Sequence, residues 1–276
     1  MEAFIELGNI HVENIIDYIN RHGWEAHGFY YGLKIENEKW CIRNGSTYFG
    51  LVKDKKLLGM ASFSSARVMT CHFEDESVFR KLDFLKAIRK FRPSLIKADL
   101  AALQKIKTVL TRVAICEDIK LCQVMHVSSK SFNRDENVHG MVVDASLIPI
   151  RDAVQFLLQV EKAFGRNPLT MNQLKDKVDA IENYMYYIDE NRIQGQVVIE
   201  FQTNEFAQLG GVYTVPSLRG QGIGKRLTSV MTERMLASGL QVNLLVMKEN
   251  KAAVKVYETL GFEAVHEMGL MPVNTD

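Results

Sequence analysis

The stretch whose residue types and spacing point most clearly to chemistry is Val215-Pro216-Ser217-Leu218-Arg219-Gly220-Gln221-Gly222-Ile223-Gly224-Lys225. An apolar, strand-forming segment runs into a glycine-rich turn, and a helical pattern follows at once. The first amides of a helix have no intrahelical acceptor, and the helix dipole favours an anion there by about 0.3–1 kcal/mol. Glycines permit positive φ and let oxyanions approach the backbone closely. The stretch therefore predicts a phosphate or diphosphate cradle, although a lone turn of this kind is equally a tight loop. Two common phosphate motifs do not fit. A nucleoside-triphosphate loop needs G-x-x-x-x-G-K-[ST], whereas Lys225 is followed by Arg226 and Arg219 stands where the first glycine belongs. The dinucleotide fingerprint G-x-G-x-x-G fails on the even spacing of Gly220, Gly222 and Gly224.

A second constellation follows one strand later: Asn250, Ala253, Tyr257, Gly261 and Phe262. Asn250 is suited to cap the helix after it. Ala253 and Tyr257 lie three and seven residues on, so a single helical stripe carries all three. Gly261 stops the helix and Phe262 opens a strand.

Together the two patterns resemble the GCN5-related N-acetyltransferase (GNAT) superfamily, which moves acyl groups from acyl-coenzyme A to amines. Arg219, Gly222 and Gly224 meet its [QR]-x-x-G-x-[GA] signature, and the later residues meet N-x-x-A-x-x-x-Y-x-x-x-G-F, over about residues 140–270. The resemblance implies acetyl-CoA as co-substrate, no metal, and direct acetyl transfer to a primary amine in a ternary complex. It implies cofactor contacts from Tyr213, Thr214, Val215, Arg219, Gly220, Gln221, Gly222, Ile223, Gly224, Lys225, Asn250, Ala253 and Tyr257. It makes Tyr257 the general acid for the leaving sulfur, and the N–H of Val212 or Tyr213 a donor to the oxyanion. For the base, Glu200 and Glu205 lie on or beside the strands leading to the signature. Glu205 is the residue assigned, with an ordered water as the family's other solution. A coenzyme-A-binding sensor without catalysis is the alternative function. The expected acceptor is a small-molecule or peptide amine.

These residues need elements to hold them. Spacing predicts a strand at 141–143, helices over 150–163 and 171–182 (the latter capped by Thr170 with Gln173), and strands over 184–188, 193–201 and 206–215. The Gly210-Gly211 step inside the last of these suggests a bulge or a close approach by a ligand. A helix over 221–238, a strand over 240–247, a helix over 250–260 and a strand from Phe262 complete this half. The first half reads as a helix ending at His22-Gly23, a hairpin of 46–53 with 57–63, a basic amphipathic helix over 76–91 broken by Pro93, and a helix over 98–112. It resembles a degenerate copy of the same fold: no glycine signature accompanies it, Lys97 standing where a glycine is wanted after Pro93-Ser94-Leu95-Ile96. The expected fold is α/β, two tandem GNAT-like units, each a mixed, mostly antiparallel sheet flanked by helices. The expected domains are 1–136 and 137–276, joined through the polar run Ser131–Gly140.

Charge divides along the same line. Residues 1–136 carry 21 basic and 17 acidic side chains, and residues 137–276 carry 13 and 16, giving +4 and −3. With a whole-chain charge of +1, no global field calls for nucleic acid or an anionic membrane. The basic run Arg80, Lys81, Lys86, Arg89, Lys90, Arg92 reads either as a phosphate-binding face or as a solvated one. The start MEAFIELGNI lacks the basic and apolar regions of a signal peptide, no apolar run reaches membrane-span length, and Cys41, Cys71, Cys116 and Cys122 form no metal or disulfide motif. The expectation is a cytoplasmic protein with buried reduced thiols, monomeric or homodimeric.

Overall fold

A computed structural model describes residues 2–75, 78–79, 81–110, 114–136, 142–165 and 168–274, with the side chain of Asp176 left aside. In chain order the elements are β1 (Glu2–Leu7), α1 (Val12–His22), β2 (Leu33–Glu36), β3 (Lys39–Ile42), β4 (Ser46–Lys53), β5 (Lys56–Ser64), β6 (Val68–Phe73), α2 (Leu82–Phe91), β7 (Leu95–Ala98), α3 (Leu100–Leu110), β8 (Ile115–Cys116) and β9 (Lys120–Val127). There follow β10 (Val142–Asp144), α4 (Ile150–Ala163), α5 (Met171–Asp179), β11 (Tyr184–Asp189), β12 (Arg192–Gln202), β13 (Phe206–Thr214), α6 (Ile223–Ala237), β14 (Gln241–Met247), α7 (Lys251–Thr259) and β15 (Glu263–Asn274).

The chain forms two compact units, one of Met1–Val124, Val246–Glu249 and Ala264–Asp276, the other of Met125–Leu245 and Asn250–Glu263. This differs from the expected division at 136/137. The polar run belongs to the second unit because its backbone is tied there: Asn133 N–H donates to the Leu260 carbonyl (3.0 Å) and Asp135 N–H to Ser229 Oγ (3.0 Å). The final strand returns to the first unit, where Gly269–Pro272 pair antiparallel with β7 and Val273–Asn274 with β8.

Each unit has the same internal plan. In the first, β1, β4, β5 and β6 are successive antiparallel neighbours and β7 pairs parallel with β6. In the second, β10, β11, β12 and β13 are antiparallel neighbours and β14 pairs parallel with β13. A helix follows the first strand and another connects the parallel pair in both. The chain is thus a tandem of GNAT-like α/β units, mostly antiparallel, as the sequence suggests. The hairpins turn on two residues of positive φ, Asp54 and Lys55 in one unit and Glu190 and Asn191 in the other. Such turns match the right-handed twist of the flanking strands.

The shared plan relocates one reading. The first unit's counterpart of the glycine-rich turn is the segment between β6 and α2, residues 74–81, and not Pro93–Lys97. That segment, EDESVFRK, has no glycine and opens with three acidic residues, which disfavours an anion. Glu76, Ser77 and Arg80, the last part of the expected basic run, lie outside the described residues, as do 111–112 of the expected third helix and Asn137–Met141 of the polar run and its strand. The three lysines of the basic face are paired: Lys81 with Glu2 (2.9 Å), Lys86 with Asp83 (3.1 Å) and Lys90 with Glu6 (3.9 Å). These contacts favour the solvated, ion-paired reading. Cys71 and Cys122 are buried, but Cys41 and Cys116 are only half-buried thiols.

The first core gathers Phe4, Phe63, Phe73, Phe79 and Phe84 with Ile96, Leu103 and Ile106. In the second, α4 lays Ala153, Phe156, Leu157 and Val160 against Tyr184, Tyr186, Tyr213 and Val215. The helix α6 buries Ile223, Leu227, Met231 and Met235 and packs on β12 and β13. Gly261 ends α7 at φ +86°, and a Cβ there would stand 1.9 Å from the Ser131 carbonyl oxygen. Gly239, after α6, has φ +81° with open space around it. Gly261→Ala is expected to cost about 2–4 kcal/mol, the conformational strain plus a backbone shift. Gly239→Ala should cost about 1–2 kcal/mol, strain alone. Urea unfolding of both variants measures the difference, and equal losses would refute the packing role given to Gly261.

Candidate functional site

The site begins with a strand that loses its partner. The parallel ladder of β13 with β14 runs from Phe206–Gln241 to Leu209–Leu244 and stops where Gly210-Gly211 begins. On the other side β13 pairs Val198 with Gly210 and then Gln196 with Tyr213. Val197 therefore faces two residues, a β-bulge, as the paired glycines suggested. Gly211 sits at φ +56°, and its carbonyl accepts from Gln196 Nε2 (3.3 Å).

Beyond the bulge, backbone groups alternate sides. Val215 N–H donates to the Gln194 carbonyl (2.9 Å), so Val215 and Tyr213 turn their amides toward β12. Thr214, between them, turns its own to the open edge. This corrects the expectation for Tyr213 and Val215 as backbone partners of a ligand. Their side chains lie in the core under α4, and of the two amides considered for an oxyanion that of Tyr213 faces β12. Arg219 Nε donates to the outward Thr214 carbonyl (3.2 Å), and its guanidinium lies 5.9 Å from the Tyr213 ring centroid. The signature arginine therefore pins the end of the strand.

The glycine turn follows. Gly220 and Gly222 have φ +82° and +79°, with nothing within 4 Å of a built Cβ. Gly222 is the N-cap of α6 and offers no capping side chain. The first intrahelical bond runs from Arg226 N–H to the Gly222 carbonyl (3.0 Å). Among the described residues, the amides of Gln221, Gly222, Ile223, Gly224 and Lys225 have no acceptor. Ile223 is buried and seats the helix. Gly224 faces the strand: a Cβ on it would stand 3.7 Å from Val212 Cγ1 and 3.8 Å from Thr214 Oγ1. Five orphan N–H groups at a dipole's positive end thus adjoin an open strand edge, which is the fit a diphosphate on an extended, amide-bearing arm requires. The Lys225 ammonium, expected beside the phosphates, instead contacts the buried Asp135 carboxylate (3.4 Å).

Asn250 Oδ1 accepts from Ala253 N–H (3.2 Å), so its side-chain oxygen is occupied as the cap of α7. Ala253 is half-buried one turn before Tyr257. The Tyr257 ring is buried, 6.0 Å from the Phe262 ring, and α7 packs against α6. Burial pushes the Tyr257 phenol up to about 12, so it carries its proton throughout the neutral range.

The two candidate carboxylates part company. Glu205 is exposed in the turn before β13, its N–H on Thr203 Oγ1 (3.1 Å). At a strand rise of about 3.3 Å per residue it stands roughly 20 Å from Val212. That distance tells against Glu205 as a base at the open edge. Glu200 lies at the bulge: a Cβ on Gly210 would fall 2.2 Å from its Oε1, and its Oε2 accepts from Gln208 Nε2 (2.8 Å). Only the missing Cβ of Gly210 leaves room for this carboxylate. The sequence placed both glutamates near the strand, and the bulge register decides between them.

A family profile described as FR47-like protein matches residues 191–269, which span the bulge, the glycine turn and α7. A mycothiol acetyltransferase of Streptomyces avermitilis is 34% identical over 144 residues, covering 48% of this chain and 46% of the relative. The chain spans about half the length of the curated relatives it matches. A GCN5-related N-acetyltransferase structure from Sphaerobacter thermophilus aligns over 97% of this chain and 94% of its own at TM-score 0.59 and 15% identity. A tandem GNAT protein from the clavulanic acid biosynthesis pathway aligns over 100% and 99% at TM-score 0.56 and 11% identity. These two likenesses are likenesses of fold. No described helix is long and apolar enough to cross a membrane.

Because the Tyr257 phenol is raised above its ordinary 10.0, its contribution to stability is full below pH 10 and is lost as pH rises toward 12. Relative to Tyr257→Phe, the wild type should lose about 1–3 kcal/mol of unfolding free energy across that window. Denaturant titrations of both proteins at stepped alkaline pH read it, and a constant difference would mean that the phenol is not buried as described.

Proposed function

We propose that this chain, a member of the GCN5-related N-acetyltransferase superfamily, transfers an acetyl group from acetyl-CoA to the primary amine of a small molecule. The observation that carries the reading is the coincidence of the strand edge opened at Leu209 with the unpaired amides of Gln221–Lys225. The amides would hold the diphosphate, and Val212 and Thr214 the amide-bearing arm. The carrier supplies an activated thioester.

The chain's own residues then have three tasks. The Val212 N–H is available to the oxyanion that develops on the carbonyl, a donor fixed before the reaction begins. The attacking amine must lose a proton, and Glu200, at the bulge rather than in a turn, is our candidate to take it directly or through water. The leaving sulfur needs a proton, and Tyr257 holds one at neutral pH. Gly210 belongs to this arrangement because a side chain there would expel the Glu200 carboxylate. We take a small-molecule acceptor from the likeness to enzymes named mycothiol acetyltransferase. The charge of −3 over residues 137–276 mildly favours a cationic amine.

A thiol-release assay with acetyl-CoA across a panel of small amines tests the proposal. Turnover with some amine is expected, and tight coenzyme A binding without turnover on any of them would support the sensor alternative. Tyr257→Phe should lower kcat by about 10²–10³ while the KM for acetyl-CoA stays within about twofold. Glu200→Gln should lower kcat/KM and remove its acidic limb, whereas Glu205→Gln should behave as wild type. If Glu200→Gln kept the wild-type pH profile, the base would have to be sought elsewhere.

A further inference from the structure

The first unit holds a cluster that the proposed reaction does not use. Helix α1 ends at His22, Gly23 turns the chain at φ +54° into a short 3-10 turn, and the turn brings Glu25 back toward β6. On β6, the ladder with β7 ends at Thr70–Lys97, and His72 stands two residues beyond it. This is the first unit's counterpart of the opened edge at Gly210. His72 Nε2 is 3.2 Å from Glu25 Oε2, and His22 Nε2 is 3.1 Å from Glu74 Oε1. The two imidazole centroids are 4.7 Å apart. One ligand atom from each of His22, Glu25 and His72 lies within 4.8 Å of the others.

The arrangement is built, not scattered. His72 is buried, and the fully buried Tyr18 hydroxyl lies 2.6 Å from its Nδ1 and 3.2 Å from its own carbonyl. A hydroxyl has one proton. If it donates to the carbonyl, Nδ1 must donate to the hydroxyl, and Nε2 then presents a lone pair to the Glu25 carboxylate. In that tautomer a lone pair faces a carboxylate oxygen at 3.2 Å, and a cation between them removes the repulsion. In the other tautomer the hydroxyl donates to Nδ1, Nε2–H donates to Glu25, and a metal ion takes the place of that proton. An outer hydrogen bond on Nδ1 that leaves Nε2 to coordinate is also how metal-binding histidines are commonly oriented. Arg21 tempers the negative charge, its guanidinium 3.5 Å from Glu74 Oε1.

We propose that His22, Glu25 and His72 form a binding site for a divalent transition metal, zinc foremost, with Glu74 within reach as a further oxygen ligand. Two imidazoles with a carboxylate make the mixed nitrogen and oxygen set that zinc accepts with one position left open. Magnesium and calcium prefer all-oxygen sets. Tetrahedral bonds of about 2.05 Å place ligand atoms about 3.3 Å apart, and the ligand atoms here lie within 4.8 Å of one another. The ligands come from positions 22, 25 and 72, too far apart in sequence to read as a motif.

The test is zinc chloride titrated calorimetrically into chelator-treated full-length chain, with all four cysteines replaced by serine to remove thiolate binding. One equivalent is expected to bind and to raise the melting temperature. Cobalt(II) in the same chain should give the visible d–d bands of a four- or five-coordinate site. Glu25→Gln alters a half-exposed side chain and should fold as the parent does, yet weaken zinc binding by about tenfold or more. His22→Gln should weaken it likewise. Equal zinc affinity in the parent and both variants, or only six-coordinate cobalt bands, would overturn the proposal. If the cysteine-free chain does not fold, the same titration in the native chain, with Glu25→Gln compared against it, decides the matter. No acyl donor is present in any arm, so the result stands apart from the acetyl-transfer reading.

Discussion

A helix cannot supply acceptors for its own first amides, and everything else in the second unit follows from how α6 leaves them bare. The usual remedy is a serine, threonine, aspartate or asparagine at the N-cap. Here Gly222 occupies that position, and Gly220 and Gly222 hold positive φ without side chains to fold back. The strand before the turn adds a second deficit, since β13 gives up β14 after Leu209. Two rows of unpaired donors and acceptors are costly when buried, so they have to face solvent or a ligand. Arg219, the core packing of Tyr213 and the buried Ile223 hold the turn still while it does so.

Much of this was legible in the sequence. The bounds of α4 coincide with the apolar periodicity read over 150–163, and the Thr170–Gln173 cap forms in both directions, Gln173 N–H to Thr170 Oγ1 and Thr170 N–H to Gln173 Oε1. The Gly210-Gly211 step announced its bulge. Hidden elements were those without local punctuation. The strands β6 and β9 mix buried apolar residues with polar ones without strict alternation, and β1 is six residues of mixed polarity. The carboxylate was misjudged for a related reason. A bulge shifts register, and register decides which residues share a face. From the sequence Glu205 and Glu200 look alike, and only the register of β12 with β13 lays the Glu200 carboxylate over Gly210.

The two units show what one plan does with different residues at the same place. Where β13 opens, the second unit has glycines and then a glycine-rich turn. Where β6 opens, the first unit has His72 and then Glu74-Asp75-Glu76. The same divergence of two parallel strands thus exposes backbone donors suited to an anion in one case, and in the other collects imidazoles and carboxylates suited to a cation.

The path of β15 has a consequence for how the chain is made. Its residues Gly269–Asn274 complete the sheet of the first unit after the whole of α7 has been built. During synthesis, the sheet of the first unit keeps an uncovered edge at β7 until residues 269–274 have been made. The two halves therefore cannot mature as independent beads in order of synthesis. Removing residues 269–274 would injure the first unit, most of whose chain lies far from them in sequence.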